Sequence, residues 1–141
     1  MGAKKVHDVV TVASVTTVAG AVNANIAAVR VPRGIHALSL VLNVTAAATD
    51  NADTLDVKVQ TMLDGTNWVD VCYFTQVLGD GGAKKHVAKI AAGVAQAMFS
   101  DTALTAGNVR NLLGDEYRVN YVQADADSDA EFTFTVTACP M

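Results

Sequence analysis

At 141 residues the chain is sized for one domain with a single core, and it is 51% hydrophobic but only 17% charged, against about 25% charged in an average soluble domain. That balance excludes a disordered chain, which combines low hydrophobicity with high net charge. A net charge of −4 and a pI near 5.1 argue against nucleic-acid binding, which needs clustered Lys and Arg.

Valine (22), alanine (24) and threonine (14) dominate the composition, which favours strands and supplies few large rings to fill a core. Residues 1–8 read as a flexible arm carrying Lys4 and Lys5. Asp8 interrupts it before any long apolar run, so no secretory signal is expected, and Val6 stands where a myristoylation signal needs Ser or Thr. The uncharged stretch from Val9 to Val29 is rich in Thr, Ser, Asn and Ala, so no membrane span is expected.

Strands are predicted at residues 8–18 and 25–31, followed by a core strand over 34–44 that begins near His36 and puts Leu38, Leu40, Leu42 and Val44 on one face. After a polar loop at 45–54, alternation is strict from Leu55 to Leu63, with the odd positions inward and Asp56, Lys58 and Gln60 toward solvent. Asp64-Gly65-Thr66-Asn67 is turn chemistry, and Trp68 opens the next strand, so residues 55–77 read as a β-hairpin. Gly79-Asp80-Gly81-Gly82 reads as a turn rather than a phosphate loop, since no Lys-Ser/Thr follows it, and 84–91 is a further strand. Residues 94–113 fit either a short helix or an extended strand with a long loop. Segments 117–122 and 131–138 flank a polar turn and read as a second hairpin, with Pro140 as strand terminator. The sum is an all-β chain of about eight strands: a two-sheet antiparallel β-sandwich, jelly-roll-like, forming one domain over residues 9–141.

Little in the chain points to catalysis. The three histidines, His7, His36 and His86, lie in an arm, at a strand start and after Lys84-Lys85, and no nucleophile motif accompanies them. No enzyme activity and no cofactor are expected. Cys72 and Cys139 have no metal-ligand spacing and read as free thiols, or as a disulfide if their strands are neighbours. Asp125, Asp127 and Asp129 repeat at every second residue, as at the start of a calcium loop, with Asp50, Asp53 and Asp56 as helpers. Ala130 and Val136, however, stand where such a loop needs Gly and Glu, and the same spacing suits a solvated hairpin tip. Lys84 and Lys85, with Lys89, form a basic patch in an acidic chain: a lysine-protected sheet edge, or a contact for an acidic partner surface. The single Trp68 suits packing, in the core or between subunits, or stacking on a sugar ring.

The run from Leu55 through Asp64-Gly65-Thr66-Asn67-Trp68 to Val71 resembles the strand, Asp-Gly turn, Trp, strand pattern of head decoration (cement) proteins of tailed bacteriophages. The runs 113–122 and 132–136 look like the closing strands of those proteins. The resemblance covers about a third of the chain. It implies a non-enzymatic virion structural protein, made in the host cytoplasm and placed on the capsid surface. Its implied partners are itself, as a homo-oligomer with a trimer as one candidate, and the major capsid protein of the shell. Lys4, Lys5, Trp68, Lys84 and Lys85 are the candidate interaction residues. A tail or fibre subunit is the neighbouring alternative. The hairpin is also similar to discoidin-like carbohydrate-binding domains, though Leu63 replaces their Ser. That likeness implies a sugar-binding module using Trp68, Tyr73 and neighbouring Asn67 or Asp70.

Overall fold

Alternating apolar residues become strands wherever one face can be buried, and this governs the whole chain. The computed structural model describes residues 8–50, 52–92, 103–124 and 131–141. Among them are the strands β1 (Val10–Thr16), β2 (Val22–Asn25), β3 (Val29–Arg30), β4 (Ala37–Ala46), β5 (Thr54–Met62) and β6 (Trp68–Tyr73). They are followed by β7 (Val77–Leu78), β8 (Lys84–Ala91), β9 (Asn108–Val109), β10 (Glu116–Ala124) and β11 (Thr133–Pro140). Every pairing is antiparallel.

The strands form a β-sandwich. One sheet has four strands in the order β1-β11-β4-β8; the other has seven, β2-β10-β5-β6-β9, with β3 also on β10 and β7 also on β5. Leu38, Leu40, Leu42 and Val44 of β4 face Leu55, Val57 and Val59 of β5 in one core. Phe134 is fully buried, which stabilises the fold by about 1.5–3 kcal/mol relative to exposure. Its ring meets that of Tyr121 edge-on across the two sheets, with centroids 5.5 Å apart.

That contact corrects one expectation. The last two long strands do not form a hairpin: β10 pairs with β2, β3 and β5, while β11 pairs with β1 and β4 in the opposite sheet. Both carry one apolar face, and each face is satisfied from its own side of the core. The predicted 55–77 hairpin does form as β5 and β6, but Leu63 falls in the turn and is 51% exposed. Beyond the short 3-10 turn Gly79–Gly81, no helix is present among the described residues. The segment predicted at 25–31 is broken, with β2 ending at Asn25 and β3 starting at Val29.

Buried Thr17, Gln123 and Tyr117 are hydrogen-bonded across elements. Thr17 hydrogen-bonds Gln123, whose amide nitrogen donates to the carbonyls of Val18 (2.8 Å) and Gly20 (2.7 Å). This pins the β1–β2 connection to β10. Tyr117 donates from its hydroxyl to the Gly114 carbonyl and accepts from the Gly114 amide, each at 2.9 Å, fixing the entry to β10.

Candidate interaction surface

Two surfaces carry the candidate residues Trp68, Lys84 and Lys85. The first is the outer face of the larger sheet. A bulge makes Val59 face Cys72 and Gln60 face Asp70, leaving Val71 as the extra residue. Trp68, Asp70 and Tyr73 therefore point outward, while Val71 and Cys72 are buried. Asp70 is only 6% exposed; its carboxylate accepts from Gln60 Nε2 (2.8 Å) and the Leu104 amide (3.1 Å), with Lys58 Nζ at 3.8 Å. Gln60 in turn accepts from Arg118 Nε at 2.8 Å. Arg118 covers the Trp68 ring at 4.4 Å from its centroid, and Lys58 covers that of Tyr73 at 4.8 Å. Burial, then the nearby carboxylates of Asp56 and Asp70, push the Tyr73 hydroxyl above its ordinary pKa. Residues expected to be solvated, Lys58 and Gln60 among them, are thus tied into one cross-strand network.

The second surface is the free edge of the smaller sheet. Among the described residues β8 pairs on one side only, with β4. The Ala92 amide bonds the carbonyl of His36 on the β4 side, whereas the Ala91 amide turns away and is capped by Asn111 Oδ1 at 3.1 Å. Because an antiparallel strand alternates its bonding direction, Lys85, Val87 and Lys89 present their N–H and C=O groups to the open edge. Their side chains stand on the outer face, Val87 being 68% exposed. Lys84, Lys85 and Lys89 make no ion pair among the described residues. Beside the edge run two shallow cavities of about 180 and 240 Å³ that share Thr75 and His86. Exposed Val109 and Leu78 line their far walls.

Of the expected interaction residues, Lys84 and Lys85 come together on this edge. Trp68 lies on the other sheet's outer face and not in the core. Lys4 and Lys5 lie outside the described residues, as do the calcium candidates Asp125, Asp127 and Asp129. Asp50, Asp53 and Asp56 do not converge: Asp50 caps the Ala52 amide, Asp53 is fully buried and Asp56 accepts from Gln76. No group of three metal-ligating side chains occurs among the described residues. No helix among them is long and apolar enough to cross a membrane. Cys72 and Cys139 are both free: Cys72 is buried in the core from β6, whereas Cys139 takes an outward, half-buried position on β11. Burial pushes the Cys72 thiol up to about 12. Lys89, read from the sequence as part of the same basic patch, joins Lys85 on the outer face, while His86, Ala88 and Ile90 turn to the other side. Leu78 and Val109 are the surface residues that were not anticipated.

No protein-family model matches this chain, and no curated protein or solved structure matches it significantly.

Proposed function

We propose that this chain is a structural protein of a virus particle, most specifically a capsid decoration protein of a phage-like shell. The observation that carries the reading is the β8 edge, where, among the described residues, open backbone groups, lysines without an ion pair and exposed Val87 and Leu78 form a surface suited to protein contact. The segments that resemble cement proteins supply β5, β6, β10 and β11, central pieces of both sheets. Successive strands of four or more residues alternate between sheets except at β5–β6, and this supports reading the sandwich as a jelly roll.

In this reading each copy bridges neighbouring subunits of the shell protein and adds contacts that oppose outward pressure. Many repeated sites make a modest affinity per copy effectively strong. The isolated chain should sediment as a homo-oligomer, with a trimer as one candidate, and should coat purified shells at fixed stoichiometry. A monomer with no affinity for shells would overturn the reading. Labelling in electron micrographs of native particles distinguishes head from tail or fibre.

A sugar-binding module is the second reading, favoured by Trp68 and Tyr73 standing on one outer face. Each ring already carries a cation, and Asn67 is engaged by Asp64. Glycan binding lost in a folded Trp68→Ala variant would promote it.

A further inference from the structure

We infer that the β8 edge takes an extended, acidic segment of a partner protein as an added strand of the smaller sheet. This rests on the reading of the chain as a docking protein and names the chemistry of what docks. A strand laid along β8 would meet the outward N–H and C=O groups of Lys85, Val87 and Lys89, and main-chain bonds of this kind supply affinity in strand addition. Its outer side chains would neighbour Lys85, Val87 and Lys89, which selects an acid, apolar, acid pattern. Its inner side chains would lie over the hollows beside His86, between Leu78 and Val109.

Charge decides between this occupant and a second copy of the chain. Two β8 strands paired about Val87 would set Lys85 of each opposite Lys89 of the other, so every cross-strand charge would repel. Lysines on an edge protect it from neutral strands and from itself. They do not protect it from carboxylates. Three of the chain's ten cationic Lys and Arg residues sit within this one strand although the net charge is −4, so the positive potential is local and directed.

The test uses the full chain and a synthetic peptide in which two glutamates, four positions apart, flank valine and alanine. Binding should slow amide hydrogen exchange at Lys85, Val87 and Lys89 by at least about tenfold and weaken with salt. Lys85→Glu with Lys89→Glu should abolish binding of this peptide and create binding of its lysine counterpart, which also shows that the variant remains folded. Equal protection by the glutamate and lysine peptides, or no protection by either, would overturn the inference. So would β8 protection that grows with protein concentration in the absence of peptide. Shell coating without protection of these amides defeats the acidic-strand assignment and leaves the particle reading standing. Peptide binding by a chain that ignores shells does the reverse.

Discussion

Arg118 on β10 reaches across β5 to lie over the ring of Trp68 on β6, its guanidinium carbon 4.4 Å from the ring centroid. A double-mutant cycle isolates this pair. Trp68→Leu and Arg118→Met should show a coupling of about 0.5–1 kcal/mol in urea unfolding. Fully additive effects would mean that the stacking is idle. Because Trp68 is the only tryptophan, its emission should also shift in Arg118→Met.

Asp70 is the buried acceptor on which the same network converges. Asp70→Ala leaves Gln60, Lys58 and the Leu104 amide without their partner and should cost about 2–3 kcal/mol. Asp70→Asn keeps an acceptor oxygen and should cost less. Equal losses in the two variants, read from urea midpoints, would show that filling the space matters and the acceptor does not.

The Cys72 thiol is raised from its ordinary value of 9.0 to about 12 by burial. The folded state therefore holds this proton where the unfolded chain has lost it. The resulting stability is fully present below about 9 and is lost as pH rises toward about 12. Burial also raises Tyr73 and Tyr117, which act in the same direction. Cys72→Ala should flatten the alkaline limb of a stability–pH curve, and a thiol reagent at neutral pH should label half-buried Cys139 before Cys72.

Two glycines of one turn should respond unequally to alanine. A Cβ on Gly79 would run into the Asp50 carbonyl, a backbone atom that cannot yield cheaply, whereas one on Gly81 meets the flexible Lys84 Cε at 3.1 Å. Gly79→Ala should cost about 1–3 kcal/mol and Gly81→Ala only a few tenths. Thermal melts of the two variants decide it.

Strands were legible where alternation was uninterrupted. Leu38 to Val44 and Leu55 to Thr61 bury the residues their pattern assigns, because a period of two determines which face is inward. Three things were not legible. Which sheet a strand joins depends on distant partners, so β10 and β11 looked like neighbours when Tyr121 and Phe134 face each other across the core. The bulge at Val71 reverses the alternation of β6, and nothing local announces one extra residue. The network around Asp70 joins β5, β6, β10 and the Leu104 backbone, so each member alone reads as an ordinary solvated side chain. The lysines of β8 were visible as a basic patch, but only the pairing with β4 shows which backbone groups remain open beside them.

The position of β11 between β1 and β4 has a consequence for how the molecule is made. A ribosome that has released residues through Ala91 has delivered β1, β4 and β8, yet the strand that joins the first to the second is still to come. β10, between β2 and β5, is also among the last segments to emerge. Neither sheet can close during most of synthesis, and until it does the apolar flanks of β1 and β4 are open to the wrong neighbours. Folding is therefore a late, nearly all-at-once event, and a nascent chain stalled before Thr133 is the form that most needs a chaperone.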